Sequence, residues 1–356
     1  MSALHESAPS QKRKRTDDPT NTVSASTSGT NAYIRRSSKI WMPYGDIVLQ
    51  AEGVQFRVNR DILARNSVAF EGMFALPRPQ SSGDGNGIHG GDEVVEGCPV
   101  VPLTDKARDV ELLLAGFYDP FHLKTKPRFD ELAASLRLGR KYEAVTFKND
   151  AASRIHAEFP TTLENWDRRA TRTRTAGLEF IRPAAGIFVD LVNLAYENGV
   201  YRSIPALAFK CLSTYTLAQL FAGIEREDGS RTVLSDAMKS MFALALEAIQ
   251  LFQRNNYQWL REEGEVVPDQ QECMQDQLCD DYRREMCRFE CAEERVDVTY
   301  MLEAWEKVAD GAWVGRLCTE CERAAKAEFE AGRQRAWDRL PVFFGLPEWK
   351  DLKDMD

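Results

Sequence analysis

The sequence predicts an α+β protein, in which a small sheet with clustered helices forms the N-terminal domain and a mainly α-helical domain follows. Three observations predict this fold class. An alternating strand pattern with a turn glycine occupies residues 46–58, apolar residues at helical spacing follow it, and apolar stripes with a helical period dominate residues 183–261. The chain has 356 residues, 43% of them hydrophobic, which is enough for the cores of about two domains.

Residues 1–38 are predicted to be a disordered basic arm. They consist of Ser, Thr, Pro, Asn and charged residues with almost no large apolar side chain, so they bury too little surface to offset the entropy of ordering. Within the arm, Lys12, Arg13, Lys14 and Arg15 form a compact basic run suited to the acidic groove of a nuclear-import receptor. The alternative interpretation is a solvated charge run, since short basic clusters are common.

The first part of the sheet is predicted as a β-hairpin. Phe56 and Val58 alternate with polar residues, as expected when one face of a strand is buried and the other is solvated. An apolar strand precedes them, and Gly53 lies between the two strands, where a tight turn requires positive φ. The pattern therefore predicts two antiparallel strands joined at Gly53.

Two short helices, a strand and further helices are predicted to complete a first domain over residues 40–160. The second helix is expected to begin at Ser67, whose hydroxyl can accept a hydrogen bond from the first turn. Residues 77–98 contain a Gly-rich, polar stretch that predicts an exposed insertion loop. A strand is expected at residues 100–103, after which Asp105 is expected to cap the next helix.

A linker and a helical domain are predicted after residue 160. Residues 161–182 include a segment rich in Thr and Arg with no apolar period, which is typical of a linker. Residues 183–356 are predicted to be a helical C-terminal domain, with an acidic, Cys-bearing segment at residues 262–321.

Two apolar sets in this second domain each have two interpretations. The first repeats at helical spacing and is expected to be core rather than a groove for a partner; it comprises Met238, Met241, Phe242, Ala245, Leu246, Ile249 and Phe252. The second is expected to be buried against the helices, with a partner-docking peptide as the alternative; it comprises Trp337, Leu340, Phe343, Phe344, Leu346 and Trp349.

Charge and cysteine content restrict the functional class. With 46 Lys and Arg against 55 Asp and Glu, the net charge is -9, which disfavours an extended surface for nucleic-acid phosphates. No apolar run reaches about 18 residues and the first residues lack a secretory signal, so no membrane partner is expected. An intracellular protein of the nucleus, the cytoplasm or both is expected, with its cysteines as thiols or metal ligands.

The string GDIVLQAEGVQFRVNRDILARNSVAFEGMF, followed by VVPLTD and DVELLLAGFYD, resembles the BTB/POZ domain. The resemblance covers residues 40–160, about a third of the chain, and the more C-terminal sequence is similar to that of the fungal BTB proteins. Where the family usually has a His before a basic residue, this chain has Asn59 before Arg60. The expected core residues are Asp46, Val48, Phe56, Val58, Leu63, Ser67, Phe70, Phe74, Leu114 and Tyr118.

The resemblance implies a non-enzymatic protein-interaction adaptor that forms a homodimer through this domain. In the family, such adaptors bring substrates to a cullin-type ubiquitin ligase or act as nuclear transcriptional regulators and corepressor scaffolds. The transcriptional alternative normally requires a DNA-reading domain, and the sequence has no zinc finger of the two-Cys, two-His type and no basic zipper. No direct nucleic-acid contact is therefore expected.

Motifs for catalysis are weak in this chain. A GxGxxG match at Gly85, Gly87 and Gly90 lacks the preceding strand and following helix that a dinucleotide site requires. No phosphate-binding loop, hydrolase elbow or zincin motif is present, and the four His have no ligand spacing. The sequence therefore predicts no catalytic residue and no organic cofactor.

The cysteines are the one group whose spacing indicates chemistry. Cys287 and Cys291 are four residues apart, and Cys318 and Cys321 form a CxxC pair, so these four could form a closed, structural zinc site. Cys273 and Cys279 are competing ligands. Buried or redox-idle thiols are the main alternative, and a zinc- or redox-responsive interaction protein is the corresponding functional hypothesis.

Overall fold

A computed structural model describes residues 34–76, 93–119, 126–172, 177–256, 259, 273–275, 277–290, 301–309 and 316–355, without the side chains of residues 171, 172, 277, 286–290, 308 and 309. These residues form a mixed α/β structure in which a small sheet near the N-terminus is followed by helices. Most of the predicted basic arm and of the predicted Gly-rich loop lies outside the described residues.

The sheet begins with β1 (Arg35–Trp41), β2 (Ile47–Ala51) and β3 (Val54–Val58). Strands β2 and β3 are antiparallel, and both turn residues have positive φ, 45° at Glu52 and 77° at Gly53. This is the backbone of a two-residue hairpin turn, so the predicted hairpin is confirmed. Strand β1 pairs in parallel with β3, and it includes residues 35–38, which the sequence assigned to the disordered arm.

Two short helices, α1 (Arg60–Asn66) and α2 (Val68–Ala75), follow the hairpin. Ser67 caps α2 as predicted, since its Oγ accepts a hydrogen bond from the Phe70 N–H at 3.1 Å. The same hydroxyl donates to the backbone carbonyl of Tyr142. One side chain thus fixes the start of α2 and ties it to the later helices.

Strands β4 (Val94–Val95) and β5 (Cys98–Leu103) complete a five-stranded sheet of order β1-β3-β2-β5-β4. Strand β5 runs parallel to β2. Helix α3 (Ala107–Tyr118) begins after Lys106, not Asp105. The prediction that Asp105 caps this helix is wrong, because its carboxylate instead accepts hydrogen bonds from the Lys141 ammonium and the Tyr142 hydroxyl.

Helices α4 (Phe129–Lys141) and α5 (Val145–Glu158) connect the two halves of the molecule. Leu138 and Phe147 pack in the core under the sheet, whereas Leu136 and Ile155 pack in the core of the helical region. The two cores therefore meet at this helix pair.

The segment predicted as a linker carries structure. Helix α6 (Leu163–Arg172) lies within residues 161–182, and Leu178 and Ile181 are buried in the helical core. The carboxylate of Glu158 accepts hydrogen bonds from the Phe180 and Ile181 N–H groups and from the Arg169 guanidinium. The apolar residues of this segment are too few to show a period, yet Leu163, Leu178 and Ile181 are buried in the helical core and Trp166 packs against it.

The C-terminal half is mainly helical, with one short hairpin that the sequence did not predict. The hairpin consists of β6 and β7 and lies between α9 and α10. The described elements of this half are α7 (Ile187–Glu197), a 3₁₀ turn (Tyr201–Ser203), α8 (Ile204–Thr214), α9 (Leu217–Ala222), β6 (Ile224–Glu225), β7 (Arg231–Thr232), α10 (Asp236–Asn256), α11 (Gln277–Glu290), α12 (Trp305–Ala309) and α13 (Thr319–Phe343).

Both apolar sets of this half are core, as predicted. Met238, Phe242, Ala245 and Ile249 are buried, and Met241, Leu246 and Phe252 pack against the same core. Of the C-terminal set, four members are buried and Leu346 and Trp349 pack at the edge of the core; the buried members are Trp337, Leu340, Phe343 and Phe344.

Candidate metal centre and binding groove

Four cysteine side chains converge in the described part of the chain. The Sγ atoms of Cys273, Cys279, Cys318 and Cys321 all lie within 4.8 Å of one another. The last three residues are buried and Cys273 is half-buried. Four sulfur atoms at the usual zinc–sulfur distance of about 2.3 Å are about 3.8 Å apart in a tetrahedron, so this spacing fits one tetrahedral ion.

Helix termini bring these thiols together. Cys318 is the N-cap residue of α13 and Cys321 lies in its first turn, while Cys279 lies in the first turn of α11. The Cys318 N–H donates to Cys279 Sγ at 3.3 Å, and Cys321 Sγ lies 3.5 Å from Cys273 Sγ. The amide groups at the start of α13 thus point at sulfur, which is the role that glycine-containing loops often have in zinc knuckles.

The surroundings of the cluster separate the pKa values of its thiols. Burial opposes the thiolate of Cys318, but hydrogen bonds from the backbone of Cys321 and Met274 and from neighbouring thiols lower its pKa to about 6. Burial raises the pKa of Cys321 and of Cys279. These hydrogen bonds favour the thiolate form of Cys318, which is the form that binds a metal ion.

A small apolar core encloses the cluster. Trp305, Phe329 and Leu317 are buried around it, and the rings of Trp305 and Phe329 are in edge contact with centroids 5.5 Å apart. Trp259 and α12, which supplies Trp305, also contribute to this core. A group that joins the sulfur atoms would hold the segment at Cys273, the start of α11 and the start of α13 together.

The sequence-derived ligand set overlaps this cluster in two residues. Cys318 and Cys321 are in it, and they lie next to Cys273 and Cys279, which the sequence analysis named only as competitors. Cys291 and the side chain of Cys287 lie outside the described residues. The spacing of 39 residues between Cys279 and Cys318 carries no local signal, so the pairing depends on how α11 and α13 pack.

A second candidate site is a surface groove of about 350 Å³ between β1 and α3. Its apolar lining includes Ile40, Met42, Leu112 and Ala115. Charged side chains of both signs surround these residues, namely Lys39, Arg108, Glu111, Arg128 and Glu131. An apolar centre with a charged rim is the usual composition of a protein-binding surface.

Most of the residues expected in the core of the first domain are buried, namely Val48, Phe56, Val58, Leu63, Ser67, Phe70 and Leu114. Phe74 is half-buried, and so is Tyr118, whose hydroxyl bonds to Asn59. Asp46 is exposed rather than part of the core, because its carboxylate accepts a hydrogen bond from the Arg60 N–H at 2.8 Å and so fixes the start of α1.

Several residues singled out in the sequence lie outside the described residues. They are the basic run Lys12, Arg13, Lys14 and Arg15, the glycine motif Gly85, Gly87 and Gly90, and His5, His89 and His122. His156 lies within the described residues and contacts two polar side chains. Its Nδ1 atom lies 2.8 Å from Ser203 Oγ, and its Nε2 atom lies 3.0 Å from Asp354 Oδ2.

No family model and no curated protein sequence matches this chain. Across the described residues, no helix is both long enough and apolar enough to cross a lipid bilayer.

Proposed function

We propose that this protein is a non-enzymatic interaction adaptor of the BTB/POZ type. The observation that supports this proposal best is the groove between β1 and α3, an open apolar surface within the part of the chain that resembles the family. In the proposal, the N-terminal unit forms a homodimer and recruits substrates to a cullin-type ubiquitin ligase.

The groove has properties that a protein partner requires. Leu112 and Met42 offer partly exposed apolar surface, and burying such side chains contributes about 25 cal/mol per Å². Arg108 and Arg128 are each paired with Asp130 at the rim, at 2.5 and 3.5 Å. Such exposed ion pairs contribute little to stability in water. Both arginines can therefore form ion pairs with a partner's carboxylates instead, at little cost in free energy.

The proposal is tested with the full chain and a purified cullin N-terminal domain. We expect sedimentation of a homodimer, capture of the cullin at micromolar concentration, and loss of one or both in Leu112→Arg and Arg108→Glu. Leu76→Arg, an exposed leucine away from the groove, is the matched control, and circular dichroism establishes that each variant is folded. A wild-type monomer that captures no cullin contradicts the proposal.

We also propose that Cys273, Cys279, Cys318 and Cys321 bind a structural zinc ion. The observation that favours this second function is the convergence of four Sγ atoms within 4.8 Å in a largely buried setting. Four thiolates satisfy the usual coordination number of zinc and leave no open position for a substrate. The ion would therefore join α11 and α13 rather than catalyse a reaction.

Metal analysis tests the zinc proposal directly. Full-length protein purified without chelator should contain stoichiometric zinc, and replacement by Co²⁺ should give the visible and thiolate charge-transfer absorption of a tetrahedral site. Cys321→Ser should remove this absorption, whereas Cys98→Ser, a buried thiol outside the cluster, should retain it. Protein that takes up neither metal, or a Cys321→Ser variant with unchanged absorption, contradicts the proposal.

A further inference from the structure

A second groove lies on the helical region, between α10 and α13. The two helices are antiparallel, since Phe242 contacts Phe344 while Asn256, further along α10, contacts the earlier residue Arg335. The groove has a volume of about 500 Å³. It is lined by Ala248, Leu251, Phe252, Asn255, Asn256, Arg335, Arg339, Val342 and Phe343.

Large apolar side chains are exposed along this face. Leu244 and Leu251 lie two turns apart on α10 and are 69% and 61% exposed, and Val342 of α13 is 44% exposed. Contiguous exposed apolar residues of this kind mark interaction surfaces. The small side chain of Ala248 lies between the two leucines and leaves space for a partner to approach the helix.

The α13 wall of the groove is positively charged. The Arg339 guanidinium lies 5.7 Å from the ring centre of Phe252 and 6.0 Å from that of Phe343, and it makes no ion pair with any carboxylate of the described residues. Arg335 is held in place by Asn256 and Glu328. Because Arg335 is already paired with Glu328, Arg339 is the arginine that stands beside the apolar strip without a carboxylate partner among the described residues, and its charge complements a carboxylate on a partner.

We infer that the groove between α10 and α13 binds an amphipathic helix with an acidic flank, supplied by a partner protein. Two antiparallel helices leave the position that a third helix takes in a bundle, and an apolar helix face fits such a groove through residues at i, i+3, i+4 and i+7. Leu244, Leu251 and Val342 contact the apolar face of the partner. Arg339 binds a carboxylate on its acidic flank.

This surface is independent of the groove between β1 and α3, since the two share no residue. The probe is a fluorescent model peptide of about 16 residues, roughly 24 Å as a helix, with Leu at i, i+3, i+4 and i+7 and Glu on the flanks. The control peptide has Lys at each Glu position. Anisotropy titrations use the full-length protein at two salt concentrations.

We expect micromolar binding of the acidic peptide, at least tenfold weaker binding of the Lys peptide, and weakening by salt. Arg339→Glu should reduce the affinity at least tenfold, and Leu251→Glu should abolish binding, whereas Leu76→Glu, a similarly exposed leucine elsewhere, should bind as wild type does. Both targeted side chains are on the surface, and circular dichroism and sedimentation check each variant.

Three outcomes would overturn the inference. The first is failure of the acidic peptide to bind, and the second is undiminished binding by Leu251→Glu. The third is conversion of an oligomer to a monomer by Leu251→Glu, which would make this face an interface between copies of the chain instead.

Discussion

His156 Nε2 lies 3.0 Å from Asp354 Oδ2, and this contact joins α5 to a residue 198 positions later in the sequence. His156 Nδ1 lies 2.8 Å from Ser203 Oγ, and Asp354 Oδ1 accepts the Arg202 N–H at 2.9 Å. Burial opposes the charge on Asp354, but the hydrogen bonds from His156 and from the Arg202 backbone lower its pKa below the ordinary value of 3.8. The negative charge therefore stabilises the folded state.

Asp354→Asn is expected to lower the free energy of unfolding by about 1 kcal/mol at neutral pH. A carboxyl group whose pKa is lowered on folding contributes fully above its unfolded value, here 3.8, and loses that contribution as the pH falls through the folded value. Urea titrations should thus show a difference between wild type and variant that shrinks in acid. Asp351→Asn, at an exposed carboxylate nearby, is the control, and a difference that persists in acid contradicts the assignment.

The two ligand sets for zinc make different predictions for single cysteine variants. Cys279→Ser removes a thiol of the observed cluster and should weaken Co²⁺ binding at least about tenfold, since even outer-shell changes cost that much. Cys287→Ser belongs only to the sequence-derived set and should leave Co²⁺ binding unchanged. Competition titration with a chelator measures both affinities, and the reverse order would favour the sequence-derived set.

The buried carboxylate of Glu158 should be a major source of stability for residues 177–182. Its side chain is 0% exposed and accepts hydrogen bonds from two backbone N–H groups and Arg169. Glu158→Ala leaves the Phe180 and Ile181 N–H groups without this acceptor and removes the ion pair with Arg169, so it should cost about 3 kcal/mol. Hydrogen exchange should show lost protection of the Phe180 and Ile181 amides first; Glu164→Ala, whose carboxylate is 81% exposed, should change neither quantity.

Two helical glycines should respond to alanine in opposite directions. A Cβ at Gly139 in α4 would lie 2.9 Å from the backbone nitrogen of Lys148 in α5, so Gly139→Ala should destabilise the protein by about 1–3 kcal/mol. A Cβ at Gly72 in α2 meets nothing within 4 Å, so Gly72→Ala should stabilise it by about 0.5–1 kcal/mol. Thermal unfolding measures both, and equal signs would contradict the close packing of α4 on α5.

Local chemistry explains which features the sequence predicts. The turn at Gly53 and the cap at Ser67 depend on backbone conformation and hydrogen bonds within a few residues, so their residue types carry the information. The same reasoning failed at Asp105, because Lys141 and Tyr142 from a later helix compete for its carboxylate. A helix cap can be predicted from the neighbouring sequence only when no hydrogen-bond donor from a distant part of the chain competes for the capping side chain.

Long-range packing explains what the sequence does not predict. Spacing of four residues favoured Cys287 with Cys291, but the observed cluster joins Cys318 and Cys321 to Cys273 and Cys279, which lie 39 or more positions earlier. His156 likewise has partners 47 and nearly 200 residues away, and no periodicity links them. Both sites depend on where helix ends meet in space, which a linear pattern does not specify.

The stacked rings of Trp337 and Trp349 are an intrinsic spectroscopic probe of the folded structure. Their centroids are 5.5 Å apart, Trp166 lies 5.7 Å from Trp337, and the Trp337 indole N–H donates to the Thr161 carbonyl at 3.1 Å. Indoles this close couple their electronic transitions, so near-ultraviolet circular dichroism and intrinsic emission will record the separation of α6 from α13 without any added dye.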